Sequence, residues 1–167
     1  MLALQITALK PFMNNLLAGD LFDCFLLKEA VIATAATMTI DGRLNKEFFD
    51  TEEWEDTERR PYEYAAWADM KGICFDLIKG KRPPVRFQCV FYLMPKHTAA
   101  ILEKGGAGSV SASVKAFVLT LRYDGEKAAL ITGISYETFL PDKEPERLWD
   151  AACEQYLRKK GIACEPL

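Results

Sequence analysis

The Pro83-Pro84 pair divides the best-patterned stretch of this chain and limits what can lie on either side of it. No helix continues across it, because proline lacks a backbone N–H and pushes the preceding residue into extended conformation. Before the pair, Pro61 to Gly80 reads as a long buried helix. Pro61 is its first residue, and Tyr64, Trp67, Ala68, Cys74, Phe75 and Ile78 keep approximate helical spacing. Gly72 weakens this helix and marks a kink, and Gly80 suits the position just past its end. After the pair, Val85, Phe87, Cys89, Phe91 and Leu93 alternate with Arg86, Gln88, Val90 and Tyr92, the pattern of a half-buried strand. The break between helix and strand is basic, with Lys79, Lys81 and Arg82.

The rest of the chain supplies elements of both kinds. Leu2, Leu4 and Ile6 mark a first strand. A short helix follows, capped by Thr7, carrying Pro11 in its first turn and ending at Gly19. Two strands are predicted at about Phe22–Lys28 and Ala30–Ile40, with a turn at Asp41-Gly42 and a short strand over Arg43–Phe49. Asp50–Arg60 is an acidic insertion in which Trp54 docks the loop. Its carboxylates lack calcium-loop spacing and read as a solvated run. Pro95 opens a helix through Glu103, and Gly105–Ser109 begins a flexible connector. Because this glycine run follows a helix and precedes a strand, it lacks the strand-to-helix context of a phosphate loop. Lys115–Tyr123 and Lys127–Leu140 form a hairpin about Asp124-Gly125, with Gly133 as a bulge position. A last helix starts near Asp142 or Glu144. Leu148, Trp149, Ala152, Cys153, Tyr156 and Leu157 form its buried stripe, and Gly161 ends it.

These elements predict an α+β single domain over residues 1–167 with a mostly antiparallel sheet. Residues 1–49 and 85–140 share an order of elements, joined by a linking insertion over 50–84 and closed by a C-terminal helix over 142–160. The order β-α-β-β-β, taken twice, resembles one domain of the DNA sliding clamps, which implies two similar halves. The long central helix and the closing helix depart from that pattern, and the helices that would face DNA offer only Lys10, Lys96, His97 and Lys104. Phe22–Ala30, Thr39–Arg43 and Ile73–Pro84 are also similar to an uncharacterised family of small proteins from clostridia and related Firmicutes, a family that carries over no activity.

The net charge of −3 argues against a generic polyanion binder with an overall positive field. The five cysteines are odd in number and widely spaced. They are expected to be free core residues in a reducing cytoplasm, and the N-terminal residues do not read as a signal peptide. No catalytic residue, metal set or cofactor motif is assigned. His97 is the sole histidine and is expected to be exposed on a first helical turn, and Asp76 is expected to pair with Lys79.

Charge asymmetry supplies the one candidate site. Between Asp76 and Glu103 the chain has no acidic residue, yet it holds Lys79, Lys81, Arg82, Arg86 and Lys96. These five are the candidate anion or nucleic-acid contacts, with Tyr92 or another aromatic available for stacking. A helix dipole accounts for cations near Lys79, but not for Arg86 on the polar face of a strand. The expected function is a non-catalytic cytoplasmic binding or assembly module for nucleic acid or a protein partner. The alternative is a small enzyme acting on an anionic or phosphorylated small molecule. No membrane association is expected.

Overall fold

Seven strands form one antiparallel sheet in the order β3-β2-β4-β5-β6-β1-β7. The computed structural model describes residues 1–58 and 62–167. The strands are β1 (Ala3–Ile6), β2 (Phe25–Ala33), β3 (Thr37–Asp41), β4 (Arg86–Leu93), β5 (Val114–Tyr123), β6 (Ala128–Tyr136) and β7 (Cys164–Pro166). The helices are α1 (Leu9–Leu17), α2 (Thr51–Glu55), α3 (Trp67–Ile78), α4 (Pro95–Lys104) and α5 (Glu144–Lys159). The fold is α+β, as the sequence predicts.

Alternation decides which face of the sheet is covered. Phe87, Cys89, Phe91 and Leu93 of β4 are buried, as are Phe117, Leu119 and Leu121 of β5 and Ala128 and Leu130 of β6. These residues meet the apolar stripes of the helices. Phe12, Leu16 and Leu17 come from α1, Leu102 from α4, and Trp149, Cys153 and Leu157 from α5. Aromatic rings fill the centre. Phe22 lies edge-on to both Phe25 and Phe91, and Trp149 stacks on Phe117 at 5.2 Å. The buried indole nitrogens are satisfied by backbone, with Trp67 donating to the Leu16 carbonyl and Trp149 to the Val118 carbonyl. The opposite face of the sheet is open along much of its length. Near Tyr92 it carries a small second cluster in which Tyr64 packs with Leu26 and Ala116.

Several expected boundaries move. The central helix begins at Trp67, because Tyr64 is drawn into a bridge with Arg43; Pro61 lies outside the described residues. Nor is that helix buried throughout. Trp67 and Cys74 are buried, while Ile73 and Phe75 face solvent. The β2–β3 turn falls at Thr34–Ala36, and Lys28-Glu29 is a bulge within a continuous strand. The Arg43–Phe49 segment makes that single bridge and then a short 3-10 turn over Lys46–Phe48. The acidic insertion holds α2, started by a capping box in which Asp50 and Glu53 each accept the other's backbone N–H. The ring of Trp54 meets that of Phe49, just before the insertion.

The predicted connector ends in 3-10 turns over Gly108–Ser113. The irregularity of the β5–β6 ladder lies between Val114 and Ala116, while Gly133 keeps regular register with Val118. β6 stops at Tyr136, short of the predicted end of its strand. Strand β7 is not predicted by the sequence pattern.

The two like-ordered segments enter the sheet differently. β4 lies between β2 and β5, whereas β1 lies between β6 and β7. No helix among the described residues is long and apolar enough to cross a membrane.

Candidate functional site

Among the predicted cations, Arg86 is the one that the sheet builds into a cluster. It opens β4 on the open face, one step beyond the Phe87–Tyr123 pair. Continuing that register sets Arg86 opposite Asp124. On the same face, Gln88 pairs with Arg122, and Arg122 pairs in turn with Ala129 on β6. Side chains two apart on a strand share a face, so Lys127 joins Ala129 there. Arg86, Arg122 and Lys127 thus border one groove of about 610 Å³, floored in part by Val31, Ala129 and Ile131. The Nε of Arg122 donates to Gln88 Oε1 at 2.9 Å, and the residue is exposed.

The hairpin tip fixes this corner. Asp124 Oδ1 accepts the backbone N–H groups of Glu126 at 2.9 Å and Lys127 at 2.8 Å. Those two hydrogen bonds hold its carboxyl below the usual aspartate range. Gly125 has a φ of 103°, and a β-carbon on it would lie 3.0 Å from the Val85 carbonyl oxygen. The tip therefore sits directly against the start of β4, and glycine is required there on both counts. The Lys79–Pro84 loop leads into this same end of the strand, and Val85 donates its N–H to the Ala33 carbonyl.

The other candidates divide. Lys81 and Arg82 are exposed on that loop. Lys79 is engaged locally, its Nζ 2.9 Å from Asp76 as the spacing predicts, and it also lies over the Phe75 ring. Lys96 is on the first turn of α4, past the opposite end of β4. The length of β4, at roughly 3.3 Å per residue, separates it from Arg86, so the two do not act on one small anion. Tyr92 is not available for stacking. It is buried, with its ring edge-on to Tyr64 at 5.2 Å. Arg122 and Lys127 are not among the cations predicted from the sequence. The Asp124-Gly125 turn was the available signal, since hairpin register alone brings its flanking cations onto the face of Arg86.

Among the described residues there is no group of three or more His, Cys, Asp or Glu side chains placed to hold a metal. All five cysteines are free. Burial pushes the thiol of Cys74 up to about 11 and that of Cys153 up to about 12, which leaves both protonated and unreactive at neutral pH. His97 is exposed on α4. Partial desolvation and then the neighbouring Lys96 lower its pKa.

The family model for a family of unknown function, DUF5721, matches residues 15–165. The chain belongs to this family. The match takes in every residue of the basic corner except Gln5 and Leu167 at its margin. No curated protein and no solved structure matches the chain.

Proposed function

We propose that the protein is a non-catalytic binding module that holds the phosphate backbone of nucleic acid at the basic corner of its open sheet face. The observation that carries this reading is the register that sets Arg86, Arg122 and Lys127 on one face, next to the loop bearing Lys81 and Arg82. Five cations gathered at one end of the sheet create a local positive field on a chain of net charge −3. Guanidinium groups suit phosphate oxygens because their forked donors meet two acceptors at once. With Tyr92 buried, base stacking contributes little, and contacts to the backbone of a duplex fit better than single-strand recognition.

The alternative, a small enzyme acting on an anionic or phosphorylated molecule, would use the same cations with Asp124 as its base. Backbone N–H groups hold that carboxyl low, whereas a general base works best with a pKa near the operating pH. A cytoplasmic setting fits the free thiols, and a clostridial or related source accompanies the sequence similarity noted above. Binding at this corner does not require sliding-clamp geometry.

The test is binding of a mixed-sequence DNA duplex by fluorescence anisotropy across a salt series. Binding is expected at about 50 mM salt and should weaken steeply by about 200 mM. The triple change Arg86→Ala, Arg122→Ala and Lys127→Ala should weaken it at least tenfold and lower the salt slope by roughly 2 to 3. Lys96→Ala should have little effect. Absence of binding at low salt, or equal binding by the triple variant, would sink the proposal.

A further inference from the structure

A second concavity lies on the covered side of the sheet, between α4 and α5. It is a cleft of about 680 Å³, within the range typical of small-molecule sites. Its floor is apolar, built from Phe25, Leu93, Leu119, Trp149 and Leu157. The polar groups of its walls are turned inward. Trp149 Nε1 donates to the Val118 carbonyl, and the Tyr156 hydroxyl donates to the Leu21 carbonyl. Among the described residues, no fully buried side-chain nitrogen or oxygen lacks a hydrogen-bond partner. The floor therefore offers a ligand hydrocarbon contact and asks for no hydrogen bonds in return.

The two helices run in opposite senses along the cleft. Gly105, at the end of α4, meets Leu148 in the first half of α5. A β-carbon on Gly105 would come within 2.3 Å of that leucine, so the cleft is pinched there. At the other end, Cys24 accepts the Met94 N–H just before α4, and its thiol lies 4.0 Å from the Tyr156 oxygen. His97 and Lys159 stand at this wider end, and Lys104 flanks the pinched one. No Asp or Glu is among the lining residues. The nearby carboxylates of α5 are engaged elsewhere, Glu154 with Arg158 and Asp150 with Thr132 and the N-terminal amine.

We propose that this cleft binds a long-chain carboxylate, with its hydrocarbon chain along the apolar floor and its head group at Lys159 and His97. The charge at the mouth selects the sign of the head group, and the satisfied, apolar floor selects the tail. The site shares no residue with the basic corner of the open face, so either proposal can fail without the other.

The test is titration of the full chain with dodecanoate below its micellar concentration, followed by Trp149 fluorescence and by calorimetry. Saturable one-to-one binding is expected. Dodecyltrimethylammonium, with the same tail and the opposite charge, should bind at least tenfold more weakly, and acetate should not bind. Lys159→Glu, an exposed position, should weaken dodecanoate about tenfold while leaving the fold unchanged by circular dichroism. Ala100→Trp, also exposed and lining the cleft, should block binding. Three results would overturn the proposal: no dodecanoate binding, equal affinity for the cationic amphiphile, or binding by both variants at the original strength. An amphipathic peptide that binds in place of dodecanoate would also overturn it.

Discussion

At Gly42 a β-carbon would lie 1.7 Å from the Leu27 carbonyl oxygen, and at Gly72 it would meet nothing within 4 Å. The same substitution therefore has opposite consequences at the two positions. Gly42 donates its N–H to the Lys28 carbonyl and accepts that of Ala65, so backbone presses on it from two sides. Neither contact is a flexible side chain that could give way. Gly42→Ala should cost roughly 2–4 kcal/mol, because strand β2 or the 62–66 segment must move. Gly72 is exposed in the middle of α3 with helical backbone. Gly72→Ala should stabilise by about 0.5–1 kcal/mol, mostly by restricting the unfolded chain. Urea midpoints of the two variants check both signs. A Gly42→Ala variant as stable as the parent would mean that the close approach of Leu27 is not what demands glycine. Helix α3 runs through Gly72 without interruption.

Helix α3 is attached to the body more by polar contacts than its apolar sequence suggests. Lys71 Nζ lies 2.8 Å from Asp23 Oδ1 and donates to the Gly19 carbonyl at 2.7 Å. Both partners belong to the segment between α1 and β2, so one ammonium ties α3 to that junction. The pair is partly shielded, with 20% and 34% of the side chains exposed. Lys71→Met should cost about 1–2 kcal/mol, less than a buried pair and more than a surface one. The Lys71→Met, Asp23→Asn double cycle should show a coupling of at least about 0.5 kcal/mol in chemical denaturation. Strict additivity would show that packing at Trp67 and Cys74 holds the helix alone. This contact was invisible in the sequence because 48 positions separate the two residues and nothing local marks them as partners. What was legible was periodicity. The alternation of β4 and β5, the Asp124-Gly125 hairpin and the Trp149–Cys153–Leu157 stripe of α5 all appear as written, since each is a local pattern with one solution. What was misread depended on neighbours. The sequence suggests two strands divided near Glu29, yet β2 runs through as one strand with a bulge there, because it is held by β4 on one side and β3 on the other. β7 is three residues ending in Pro166 and becomes a strand only beside β1. The basic corner was half legible for the same reason. Arg86 stood out on its strand, but Arg122 and Lys127 join it only through strand pairing.

Across the whole molecule, the order of the sheet sets where it should open first. β4 and β5 lie centrally and are paired on both sides, and their inward residues Cys89, Phe91, Leu119 and Leu121 are buried. β3 and β7 lie at the two edges, and the inward residues of β3, Met38 and Ile40, are only half buried. The two margins also differ in how far along the chain their contacts reach. β3 joins β2 through a short turn, whereas β1 reaches β6 by pairing Leu4 with Leu130, and β7 joins the sheet only through β1. Closing so long a loop costs entropy that a local hairpin does not incur. The β1–β7 margin should therefore open at lower free energy than the β4–β5–β6 centre. Native-state amide hydrogen exchange provides the measurement. The amides of Cys89 to Phe91 and of Leu119 to Leu121 should exchange near the global unfolding free energy. Those of Thr7 and Leu167, which donate to the Ala163 and Ala3 carbonyls along the β1–β7 margin, should exchange at least tenfold faster. Equal protection in the two regions would mean that the chain opens only as one unit, and that the pairing of its two ends is as firm as its core.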